Sequence, residues 1–192
     1  CASAFLPYDL SFFDFPIDRC FRWGYFPEVK QYDDVQQLIA EKRPASLLWV
    51  GRFLDWKHPD ASVAVAKQLK SDGFDLELNI IGSGDMEYSI QSMIEKNGLE
   101  DCVHMLGSMK PCDVRSHMER SEVFLFTSDR REGWGAVLNE AMNSGCAVVA
   151  SHVIGSAPYL IQDGLNGLIY SVGDIRDLYK KTKWLLTHSA ER

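Results

Sequence analysis

Two glutamates, Glu132 and Glu140, flank the run Gly133-Trp134-Gly135-Ala136, directly after a short apolar stretch from Val123 to Thr127. Such a run is what a strand buried on both faces of a parallel sheet requires. The residues that follow place Val137, Leu138, Ala141 and Met142 on one helical stripe, with Gly145 as the stop. A helix opening near Trp134 or Gly135 would present unpaired N–H groups and its positive dipole end at the carboxyl edge of the sheet, where anions bind. Glu132 would stand just before that end, and Glu140 about one and a half turns in, roughly 9 Å along the axis. Carboxylates accept hydrogen bonds from sugar hydroxyls, so the pattern suggests a sugar nucleotide with its phosphate on the amides of Gly133 to Ala136. Two glutamates at this spacing also occur as ordinary solvated helix acids. Glycine in a first helical turn costs up to about 1 kcal/mol relative to alanine, and close approach of a ligand to the backbone would account for it.

Arg52 and Lys57 are the second candidate pair. They lie in the loop leaving an earlier strand, ahead of Pro59 and Asp60, which suit the opening of a helix. Two cations there would face the same crevice and balance a diphosphate; taken alone, they read first as solvated loop charges. Gly82-Ser83-Gly84 is a tight strand-to-helix turn or a place where backbone approaches a nucleoside. A dinucleotide fingerprint needs Gly or Ala at position 87 and an acid closing the next strand, but the chain has Glu87, Leu106 and Gly107, which argues against nicotinamide and flavin. His104 reads as a strand histidine. His58 and His152 border the crevice, and Ser128, Asp129, Arg130 and Arg131 occupy its loop.

The elements that must position these groups alternate along the chain. Strands are expected at 46–50, 76–81, 103–106, 123–127, 147–150 and 167–170, and helices at 59–71, 86–97, 112–121, 134–143, 157–162 and 174–187. This alternation implies an α/β fold, a doubly wound parallel sheet of Rossmann-like type with right-handed crossovers. Residues 1–28 hold nine aromatics, too apolar for a disordered tail, and read as the remnant of a preceding domain or its hinge. Residues 29–45 read as a connector with one short helix, and 46–192 as the ligand-binding domain.

Five landmarks occur in a fixed order: LLWVGRFLDWK (47–57), LNIIGSGDM (78–86), VHMLGSM (103–109), SDRREGWGAVLNEAMNSGCAVVAS (128–151) and DGLNGLIY (163–170). Together they resemble the carboxy-terminal, donor-binding half of the family-four retaining glycosyltransferases, also called group 1, which have the GT-B fold. Two departures stand out. Gly155-Ser156-Ala157-Pro158-Tyr159 replaces the common Gly-Gly-x-Pro-Glu, and Trp134 stands where the family commonly has Phe.

The resemblance implies transfer of a sugar from a UDP-sugar or GDP-sugar, with no further cofactor and no metal. It implies that Arg52 and Lys57 neutralise the leaving diphosphate together with Gly133, Trp134, Gly135 and Ala136. Glu140 would hold the ribose, and Glu132 the donor sugar and the positive charge at its anomeric carbon. Gly82 and Gly84 would admit the nucleoside, with the base against the Gly107–Met109 loop. The acceptor, a glycan or a lipid-linked one, would be held by an amino-terminal domain outside the chain, in glycan or polysaccharide biosynthesis. A sugar-nucleotide epimerase, a phosphorylase and a non-catalytic nucleotide-sugar binding module are the alternatives on the same architecture.

Composition agrees with such a domain. At 192 residues with 46% hydrophobic and 24% charged residues, the chain can bury a full core. A net charge of -7 argues against a nucleic-acid partner, which calls for a basic stripe. Five cysteines without a C-x-x-C pair read as reduced thiols in the cytoplasm. No run is long enough to span a bilayer, which leaves peripheral association of the full-length protein at the inner face of the membrane as the form a membrane contact would take.

Overall fold

All six residues of Ser121–Phe126 are buried, and the reason is their place in the sheet. The computed structural model describes residues 2–188. Its elements are α1 (Leu6–Ser11), α2 (Val35–Ala40), β1 (Arg43–Val50), α3 (Pro59–Ser71), β2 (Glu77–Ile81), α4 (Glu87–Lys96), β3 (Val103–Gly107), α5 (Pro111–Arg120), β4 (Ser121–Phe126), α6 (Val137–Asn143), β5 (Ala147–Ser151), α7 (Ala157–Leu160), β6 (Leu168–Tyr170) and α8 (Ile175–Thr187). The strands form one parallel sheet in the order β3-β2-β1-β4-β5-β6. This is the doubly wound architecture expected from the alternation.

Side chains alternate across a strand, so β4 sends Val123 and Leu125 into one core and Phe124 and Phe126 into the other. The first core is closed by α3, α4 and α8, through residues such as Val65, Leu69, Ile90 and Leu178. The second is closed by α5, α6 and α7, through Met118, Leu138, Ala141 and Ala157. Burial on both faces explains the unbroken apolar runs of β1, β4 and β5. Leu178 and Leu185 on α8 are core residues.

The strand order reverses between β1 and β4. Loops leaving their carboxyl ends diverge there and open a crevice, the ordinary ligand position of such sheets. Both loops carry candidate residues: 51–58 follows β1, and 127–136 follows β4.

Two boundaries differ from expectation by three residues, the others by two or fewer. β1 begins at Arg43, within the stretch read as connector, because Arg43 pairs with Ser121 of β4 and its guanidinium with Glu77 of β2. A bulge follows, with Ala45 at φ 53°. The helix expected at 134–143 starts only at Val137, because Gly135 is left-handed at φ +76° and ends any helical path before it. Glu140 consequently sits in the first turn of α6 rather than one and a half turns in.

Residues 2–30 lie along the domain. Ala4 N–H donates to Gly155 C=O at 2.9 Å, Asp9 pairs with Arg130, and the Lys30 backbone exchanges two hydrogen bonds with the Asn143 side chain, at 2.9 and 3.0 Å. Phe12, Phe13, Phe21 and Phe26 on this segment are exposed.

Candidate functional site

The crevice between the β1 and β4 loops is a cleft of about 510 Å3. Lys57, Glu132 and Glu140 line it, with Met109, Tyr25 and the Trp134–Val137 turn. Lys57 and Glu132 form an ion pair, and both side chains are largely withdrawn from solvent, at 15% and 10% exposure. Ser128 Oγ donates to the same Glu132 oxygen at 3.0 Å. The Lys57 ammonium also lies 4.7 Å from the centre of the Trp56 ring. Glu140 faces the cleft from α6, and among the described residues its carboxylate has no hydrogen-bond or ion-pair partner.

Local sequence explains how these groups arrive. Gly135 sits where a Cβ would come within 2.3 Å of the Phe126 ring, so only glycine lets the chain turn over the end of β4. Trp134 is then driven inward to 7% exposure between Tyr25 and Tyr159, and its indole N–H donates to Asn139 Oδ1 at 2.9 Å. Among the described residues the N–H groups of Gly133, Trp134, Gly135 and Ala136 donate to no protein acceptor. They form a turn ahead of α6 rather than the tip of a helix, and they leave donors next to Glu132 for a ligand.

On the other wall, Thr127 Oγ donates to the carbonyls of Lys57 and His58, and Asp129 N–H donates to Trp56 C=O at 2.8 Å. Burial opposes ionisation of Asp129, but hydrogen bonds from Arg131 outweigh it and hold the carboxyl below its ordinary value. Arg131 also reaches Asp55, which ties the two loops together.

Not every sequence candidate meets in the cleft. Arg52 follows Gly51, a lining residue, but its own side chain is exposed and has no partner among the described residues. Gly133 contributes backbone beside the cleft without lining it. Gly82 and Gly84 adopt φ +140° and +150° and press against the β1 loop; a Cβ on Gly82 would lie 1.8 Å from Gly51 O. Phe53 N–H donates to Ser83 C=O, and Gly82 N–H to Gly107 C=O, so this turn braces the Arg52 loop from behind. His152 Nδ1 accepts from Val172 N–H at 3.1 Å, a structural duty. His58 is left-handed at φ 50°, with its ring 3.8 Å from Asp129. Tyr25 was not anticipated: it comes from the aromatic leading segment, where no local spacing distinguishes it.

A larger hollow, about 600 Å3, lies at the opposite edge of the sheet. Its charged residues serve the fold, Lys42 on carbonyl groups and Glu122 on the Ala45 N–H. The chemistry-bearing cleft is therefore the smaller one. Among the described residues no helix is long and apolar enough to cross a membrane.

Known proteins share this architecture. TarM of S. aureus, solved in a complex containing UDP, superposes with a TM-score of 0.82 at 23% identity over 96% of this chain and 36% of TarM, which speaks to the fold. The pneumococcal O-GlcNAc transferase GtfA, in complex with UDP and GlcNAc, gives a TM-score of 0.69 at 26% identity, covering 78% of this chain and 30% of that one. In sequence, the amylovoran biosynthesis glycosyltransferase AmsK of Erwinia amylovora is 31% identical over 144 residues, 72% of this chain and 35% of AmsK. The chain thus spans about a third of the length of the curated relatives it matches. Residues 30–192 match the family model described as glycosyl transferases group 1, a span that takes in both cleft loops and the whole sheet. On that match the chain belongs to the group 1 glycosyltransferases.

Proposed function

We propose that this chain is the donor-binding part of a retaining glycosyltransferase that moves a sugar from a UDP- or GDP-sugar to an acceptor in polysaccharide biosynthesis. The observation that carries the reading is the Lys57–Glu132 pair facing free backbone amides and the unpartnered Glu140 across one cleft. Breaking a glycosidic bond to a diphosphate concentrates negative charge on the leaving group. Lys57 and the 133–136 amides are preorganised donors for that charge, and Arg52, exposed on the β1 loop, joins them only by swinging in. Glu132, withdrawn from water, lies where it can oppose the positive charge of the anomeric carbon. Glu140 accepts the ribose hydroxyls. The leaving phosphate takes the acceptor's proton during same-face attack, so the paired-acid logic of glycosidases does not apply.

The names of the relatives support the pathway class, and UDP in the TarM and GtfA complexes makes UDP the first donor base to test. The acceptor, a glycan or a lipid-linked one, is held by a part of the protein outside this chain. A cytoplasmic location, with peripheral contact at the inner membrane face for a lipid-linked acceptor, follows from that assignment.

Titration calorimetry with UDP and GDP tests the reading. One of the two binds the wild-type chain, and Arg52→Ala and Glu140→Gln each weaken binding; absence of binding at millimolar nucleotide removes the proposal. Product analysis with full-length protein separates transfer from epimerisation of the donor and from phosphate-dependent cleavage.

A further inference from the structure

Lys57 reaches the cleft from a loop that ends on an uncommon, left-handed backbone conformation at the next residue. The loop after β1 makes one short turn over Asp55–Lys57, and His58 then takes φ 50° and ψ 53°. A non-glycine residue persists in this region only where its surroundings over-determine it. One determinant is a hydroxyl, which acts beside the Asp129 N–H on Trp56 C=O and the Ala61 N–H on His58 C=O. Thr127 Oγ lies 2.7 Å from Lys57 C=O and 2.9 Å from His58 C=O, while the indole N–H of Trp49 donates to it at 2.8 Å. A hydroxyl has one proton to give. With Trp49 donating on its acceptor side, that proton is committed to the two loop carbonyls. Thr127 is fully buried, Trp49 is 2% exposed, and neither lines the cleft.

We infer that Trp49 and Thr127, one near the end of β1 and the other just past β4, are positioning residues that hold the 57–58 loop and thereby point the Lys57 ammonium at the diphosphate site. The inference rests on the donor-site reading for its ligand, but the device itself is a property of the loop.

The test is a mutant cycle on the whole chain, with Thr127→Val, Thr127→Ser and Lys57→Ala. Thr127→Val keeps the shape and removes the hydroxyl. It is expected to raise the Kd for UDP, or for GDP if that is the nucleotide bound, by about tenfold, the usual worth of a buried hydrogen bond with a strained partner. Affinity for the nucleoside without phosphates stays unchanged, Thr127→Ser restores diphosphate binding, and Thr127→Val adds nothing in the Lys57→Ala background. Equal weakening of nucleoside and nucleotide, full additivity with Lys57→Ala, or undiminished UDP and GDP affinity would overturn the inference. Trp49→Phe, which deletes the indole N–H, enters the same cycle if Thr127→Val does not fold. The 1H–15N signal of the Lys57 ammonium, visible when an ion pair slows its exchange, reads the loop without nucleotide. Loss of this signal in Thr127→Val supports positioning even if the wild type binds no nucleotide, in which case only the donor reading falls. Retention of the signal overturns positioning whatever binds.

Discussion

Lys42 and Lys57 stand at opposite edges of the same sheet, both drawn out of solvent, and their surroundings differ in kind. Lys42 Nζ is encircled by the carbonyls of Met118, Glu119, Ser121 and Ser144 at 2.9 to 3.2 Å, where α5 and α6 end. It meets the negative ends of two helix dipoles and absorbs carbonyls that would otherwise lack donors. Burial lowers its pKa, against the pull of Cys146 and Glu119, and the neighbouring Cys146 thiol is itself pushed up to about 11 by burial. Lys57 has one carboxylate and an aromatic face, and the rest of its ammonium looks into a cleft. A lysine whose donors are all taken is part of the scaffold. One with donors to spare beside free amides and an unpartnered glutamate is equipped to receive an anion.

The sharpest way to break this contrast is at Lys42. Lys42→Met leaves several buried carbonyls unpaired and is expected to cost about 3 kcal/mol of stability by urea denaturation, without changing nucleotide affinity. An unmoved midpoint would put the two lysines in one class. Lys57→Ala is expected to do the reverse: binding of the nucleoside diphosphate falls by about 2 kcal/mol, roughly thirtyfold, in calorimetry. Gly135→Ala probes the turn between the two regions; the added methyl meets Phe126 in a left-handed backbone, with about 2 kcal/mol of destabilisation expected in thermal melts. The smallest effect is in acid. Asp129 titrates lower in the folded chain than in the unfolded one, so its contribution is complete above the unfolded value, about 3.9, and is lost as pH falls through the folded value. Asp129→Asn should therefore flatten the stability profile below that point, and an unchanged acid limb would show that the Asp129–Arg131 tie between the loops is dispensable.

How much of this was legible depends on the range of the interactions. α3 runs over Pro59–Ser71 as its opening proline and apolar stripe required, and the strand runs of β2 and β4 needed only burial to be seen. Lys57 and Glu132 come together because their loops leave neighbouring strands, a relation that alternation alone implies. The late start of α6 was hidden, since the positive φ of Gly135 answers to the Phe126 ring and not to its sequence neighbours. Arg43 looked like connector because its partners, Glu77 and Ser121, lie far along the chain. Tyr25 and the Trp49–Thr127 link escaped for the same reason: each is a contact across a hundred residues or dozens, with no local period to announce it.

The meeting of Gly82 with Gly51 sets a limit on how this domain can vary. The smallest side chain at position 82 would wedge the β2 turn away from the β1 loop. Ser83 between the two glycines is exposed, its hydroxyl resting on Ser108, and can be exchanged with little disturbance. Drift across this turn is thus confined to its middle residue, and a methyl at position 82 would reach the Arg52 segment from a distance, as displacement of main chain and not as loss of any charged group.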